Sequence, residues 1–82
     1  MILDFESFRV DKITRMLIIN SLYFIPFEDV FDLIKFSNRV RLVTAHGTYL
    51  LECKNGMERD FLFNKIQKAI NTRWRKEKNF ND

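Results

Sequence analysis

The chain reads as an α+β protein: a small antiparallel sheet of about five strands, packed against one C-terminal amphipathic helix. Three observations predict this. Two β-rich runs flank His46-Gly47, as in a hairpin. An apolar stripe at helical spacing follows, from Leu62 to Ile70. Ahead of both lie short β-rich runs separated by turn residues. No linker or internal repeat divides the sequence, so residues 1–82 form a single small domain.

Taken in order, residues 1–11 mix apolar and acidic side chains. Phe8 and Val10 begin a strand pattern, and the initial residues are expected to fray. Lys12 to Ile19 reads as a strand, with Ile13, Leu17 and Ile19 on one face and Arg15 as the exception. Asn20-Ser21 marks a turn. Leu22 to Phe27 then returns as a short strand that Pro26 confines to an edge or an end.

Glu28 to Phe36 admits two readings. As a helix, Phe27, Val30, Phe31 and Ile34 form a stripe, with acids near the start. As a strand, it runs through a tight Ser37-Asn38 turn straight into Arg39. The strand is preferred and the helix stays open.

In the hairpin, taking His46 and Gly47 as the loop sets Arg41 opposite Glu52 and Val43 opposite Leu50. Alternation places Val40, Leu42, Tyr49, Leu51 and Cys53 on one face. Arg39, Arg41, Val43, Leu50, Glu52 and Lys54 fall on the other. Cross-strand pairs contribute only about 0.2–1 kcal/mol each, so the apolar face needs a cover.

The helix supplies that cover. Asn55 is the expected N-cap, and Glu58 three residues later completes a capping-box pattern. Leu62, Ile66, Ala69 and Ile70 make the stripe, with Phe63 on its flank. Phe61 points away, beside Lys65 and Lys68. The helix is expected over residues 55–74, with its packed part ending near Asn71 and a basic, polar tail over 75–82.

At 82 residues a single core is barely sufficient. Nine Phe in so short a chain imply either an aromatic-rich core or rings at an interface, and self-association or a protein partner is expected. Cys53, the single cysteine, has no intramolecular disulfide partner, and a buried thiol suits a reducing interior. The longest apolar run, Met16 to Phe27, is interrupted by Asn20, Ser21 and Pro26 and is too short to cross a bilayer. Asp4 and Glu6 interrupt any N-terminal signal pattern. A cytoplasmic protein is expected.

Residues 22–70 resemble the last two-thirds of a pleckstrin-homology-like domain, in its bacterial and GRAM-type forms. The resemblance lies in a strand ending in Ile25-Pro26, an acid-then-apolar step at Asp29-Val30, and a hairpin leading into a closing helix. It implies a seven-stranded superfold, so a chain with about five strands would be a truncated relative. It also implies an inositol-phosphate cluster between the first two strands. Lys12 and Arg15, with Arg9 before them, stand nearest to that position, and three spaced charges on a strand more often form a solvated face.

No catalytic, cofactor-binding or metal-ligating set assembles. His46, the sole histidine, sits at the hairpin tip, remote from Cys53, and reads as a turn residue. Glu28, Asp29 and Asp32 read as surface charges, so nothing argues for an enzyme. Two binding candidates remain. Val43 and Leu50, rimmed by Arg41 and Glu52, suit a protein contact or a sheet-to-sheet dimer, and Phe61 either joins that surface or is a lone exposed ring. Arg73, Trp74, Arg75, Lys76 and Lys78 set a lone Trp among four cations, a pattern that suits nucleic acid, although cations opposing a helix C-terminus are the preferred reading. The expectation is a small non-catalytic protein-binding or regulatory module that oligomerises. Nucleic-acid binding through the basic segment is the alternative, and membrane-surface or phosphoinositide binding a weaker one.

Overall fold

The computed structural model describes the backbone of residues 1–81 and the side chains of residues 1–71. Its strands are β1 (Ile2–Asp4), β2 (Phe8–Asp11), β3 (Met16–Ile19), β4 (Tyr23–Pro26), β5 (Val30–Phe36), β6 (Arg39–Thr44) and β7 (Gly47–Glu52). A single helix, α1 (Gly56–Asn81), follows. One sheet has four strands in the order β1-β7-β6-β5, and the other has three in the order β2-β3-β4. The α+β class matches the sequence reading. The single sheet of about five strands is corrected to seven strands in two sheets.

The extra strands come from the first nineteen residues, and hydrogen bonds explain them. Asp11 Oδ1 accepts from the Ile13 and Thr14 amides, at 3.0 and 3.1 Å, which turns the chain where a continuous strand was expected. Arg15 takes a positive φ of 58° before β3 begins. Ile13 is therefore 94% exposed at a turn and does not share a face with Leu17. The initial residues, expected to fray, carry β1, and the strand pattern at Phe8 and Val10 becomes β2. β1 pairs in parallel with β7, Ile2 beside Leu50 and Asp4 beside Glu52.

Asn20 fastens the passage between the two sheets. Its Oδ1 accepts from the Glu6 and Ser7 amides, and its Nδ2 donates to the Asp4 carbonyl. Asn20 and Ser21 both adopt positive φ, at 54° and 55°, and make the expected turn between β3 and β4. Pro26 ends β4, an edge strand that spares its missing donor.

The preferred strand reading of 28–36 holds from Val30 onward, after a single 3₁₀ turn over Phe27–Asp29. The Phe27 amide donates to the Arg15 carbonyl, and the ring is buried. A register shift between Val30 and Asp32 leaves Phe31 facing solvent.

The β6–β7 hairpin forms in a different register from the expected one. Thr44 faces Gly47, so the loop residues are Ala45 and His46; Arg41 faces Leu50, and Arg39 faces Glu52. The Thr44 hydroxyl accepts from the His46 amide and donates to the Gly47 carbonyl, closing the turn one residue early. Gly47 supplies the φ of 132° that the exit requires. Each pairing shifts by two residues, and the strand period is also two. Every side chain thus keeps its expected face while its partner changes.

Helix α1 begins as the capping pattern predicts. The Asn55 Oδ1 accepts from the Glu58 amide, and Glu58 Oε1 accepts from the Lys54 amide, one residue ahead of the usual partner. The helix runs to Asn81, beyond the expected end at Trp74. It lies over β5, β6 and the 3₁₀ turn.

Leu62, Ile66, Ala69 and Ile70 meet Val40, Leu42 and Leu51 from the larger sheet, and Leu17, Ile19 and Ile25 from the smaller one. Tyr23 and Tyr49 meet edge to face across the two sheets, with centroids 5.9 Å apart. Each fully buried aliphatic side chain contributes roughly 1.5–3 kcal/mol.

Candidate functional site

The core consumes one face of the four-stranded sheet. Val40, Leu42 and Leu51 are inaccessible to solvent there, and Leu3, Leu33, Tyr49 and Cys53 pack around them. By alternation, the opposite face carries three rows across the strands. The central row is Ile2, Leu50, Arg41 and Ile34. Beside it runs Asp4, Glu52, Arg39 and Phe36. On its other side lie Thr48, Val43 and Asp32.

This outer face is apolar with a charged seam. Ile2 is 63% exposed and Phe36 is 40% exposed, while Leu50, Val43 and Ile34 are half-buried by their neighbours. Arg39 Nη2 lies 2.7 Å from Glu52 Oε1, the cross-strand ion pair that the sequence assigned to Arg41. Arg41 instead lays its guanidinium 5.9 Å from the Phe36 ring centroid. Its Nε is buried without a hydrogen-bond partner, which is unfavourable for so polar a group.

The structure thus brings Val43, Leu50 and Arg41 together as expected, and separates Phe61 from them. Phe61 stands 60% exposed on α1, which covers the other face of the sheet, with Lys65 Nζ 5.1 Å from its ring. Ile2, Ile34 and Phe36 join the face unannounced. Ile34 and Phe36 alternate with Leu33 and Lys35, a signal of a strand apolar on both sides. The parallel addition of Ile2 had no local signal.

The side chains of Arg73, Trp74, Arg75, Lys76 and Lys78 lie outside the described residues. Arg15, one of the three cations that the family resemblance singled out, pairs with Glu28 at 3.1 Å.

The titratable groups elsewhere do not converge. His46 Nε2 lies 3.4 Å from Asp29 Oδ2 at the exposed hairpin tip. Burial, and then the Glu58 charge, push the Cys53 thiol up, which favours its protonated form. Asp60 is held below the usual carboxylate range by hydrogen bonds from Arg59 and then Lys35, at 3.0 and 3.2 Å. Among the described residues, no group of three or more His, Cys, Asp or Glu is placed to hold a metal ion, and no helix is long and apolar enough to cross a membrane. A groove of about 220 Å³ lies between the β5 bulge and α1, and among the described residues Asp32 is the one titratable side chain that lines it. Compared with protein-family models, curated proteins and solved structures, the chain matches none.

Proposed function

We propose that this protein is a small non-catalytic binding module whose working surface is the outer face of the four-stranded sheet. One observation carries the reading. Ile2, Ile34, Phe36, Val43 and Leu50, interrupted by Arg41, share the solvent-facing side of a sheet whose other side packs against the core. An apolar patch with a charged seam matches the make-up of protein–protein contacts. A reducing cytoplasmic setting suits the single unpaired Cys53. The architecture also supports kinship with the pleckstrin-homology-like superfold, through its seven strands and closing helix.

The test is capture from an extract of the cells that make the protein, with the wild-type chain and Val43→Asp immobilised side by side. The expected result is a protein captured by wild type, retained at moderate salt and after nuclease treatment, and lost with Val43→Asp. Capture that falls steeply with salt, and vanishes when Arg73, Arg75, Lys76 and Lys78 are neutralised, would replace this reading with nucleic-acid binding. Binding that requires anionic vesicles would replace it with a membrane-surface role.

A further inference from the structure

Resting on the reading of this face as a binding surface, we infer that its occupant is a second copy of the same chain, in a two-fold sheet-to-sheet dimer. The argument is charge complementarity across the rows. In one row, the β1 and β7 side carries Asp4 and Glu52, and the adjacent β6 carries Arg39. The face is therefore polarised: acidic toward β1 and β7, basic along β6, where Arg41 follows.

A two-fold axis parallel to the strands, between β6 and β7, exchanges these halves. It sets β6 of one copy over β7 of the other, and β5 over β1. Arg39 of each copy then lies over Glu52 of the other, so the intrachain pair at 2.7 Å becomes part of a four-charge network. In the central row, Ile34 lies over Ile2, and Arg41 lies over Leu50 with Glu52 diagonally in reach. An acceptor thereby approaches the guanidinium whose Nε is buried and unpartnered within the chain. The alternative axis, across the strands, would stack β6 on β6 and bring the arginines together. It is disfavoured by like charge.

Packed sheets keep their strands within about 30° of parallel, which this arrangement satisfies. Four strands about 4.8 Å apart and three rows deep present a footprint on the order of 400 Å². Stable complexes bury about 800 Å² on each partner, so the dimer is a reversible one, with a dissociation constant in the micromolar range or above.

Sedimentation of the purified chain over a range of concentrations tests this directly. Wild type is expected to pass from monomer to dimer, with no larger species. Arg39→Glu and Glu52→Arg are each expected to stay monomeric, weakened ~10-fold or more by like charges facing each other. Circular dichroism checks that both remain folded. Mixing the two restores complementary charges across the axis, and the mixture is expected to dimerise where neither component does.

A wild type that remains monomeric throughout overturns the inference. If Val43→Asp-sensitive protein capture survives in that case, the binding-module reading still stands. Dimers that persist in both single variants would show another interface and also overturn it. A mixture as monomeric as its components would overturn the two-fold arrangement.

Discussion

The two faces of the four-stranded sheet are made by the same strands and do different work. Along β6, Val40, Leu42 and Thr44 are buried, while Arg39, Arg41 and Val43 alternate with them and stay within reach of solvent. Backbone pairing is common to both sets, so the difference lies in what covers each face. The helix and the smaller sheet close the inner face, and its apolar contacts hold the fold together. Nothing within the described residues of the chain closes the outer face, so its apolar side chains are available to another surface. Inner substitutions should register as lost stability, and outer ones as lost association.

That contrast can be broken by mutation. The largest stability effect is expected on the inner face, where Leu42→Ala should cost about 2–5 kcal/mol through lost burial and a residual cavity. Denaturant unfolding measures it, and a cost no larger than that of an outer-face change would remove the distinction. Asn20→Ala should come next, at about 1–3 kcal/mol. It abandons the Glu6 and Ser7 amides and the Asp4 carbonyl, and places Ala at a positive φ. Hydrogen exchange should then show β1 losing protection before the β6–β7 hairpin does.

On the outer face, Val43→Asp should change monomer stability by about 1 kcal/mol or less, as surface substitutions do, while abolishing self-association. Arg41→Met should change monomer stability by less than about 1 kcal/mol, because removing an unpartnered buried donor offsets the loss of the guanidinium's contact with the Phe36 ring. Thermal unfolding separates these cases.

The smallest effect belongs to the rim between helix and sheet. Asp60 titrates below its ordinary value in the folded chain because Arg59 and Lys35 bond it. Its contribution is therefore fully present above the ordinary carboxylate pKa, near 4, and is lost as pH falls through the lowered folded value. Asp60→Asn should lower stability slightly at neutral pH, where the bonds from Arg59 and Lys35 are intact, and the variant and wild-type curves should converge at low pH, where Asp60 is protonated in both states.

Much of this architecture was legible because strand periodicity is robust. The faces of Val40, Leu42, Leu51, Val43 and Leu50 follow from alternation alone, and they survived a register that was two residues off. The helix and its Asn55 cap were legible from local spacing in the same way. What escaped was governed by side-chain-to-backbone bonds and distant pairing. Asp11 and Thr44 each capture nearby amides and move a turn. Ile2 reaches the outer face by pairing with a strand nearly fifty residues away, which no local pattern records. Half the candidate face was readable for the same reason: Val43, Leu50 and Arg41 lie on the hairpin itself, whereas Ile2 arrives from the other end of the chain. Phe61 was misplaced because a ring turned away from the helix's apolar stripe faces solvent on the helix's own side of the sheet, and so does not reach the outer face.

The central claim is that one face of one sheet associates while the rest of the surface does not. Amide chemical shifts followed by NMR over a concentration series test it most directly. The account predicts concentration-dependent shifts at Ile34, Arg41, Val43 and Leu50, and constant ones at Met57 and Phe61 on the helix. Shifts concentrated on the helix, or none at any concentration, would contradict it.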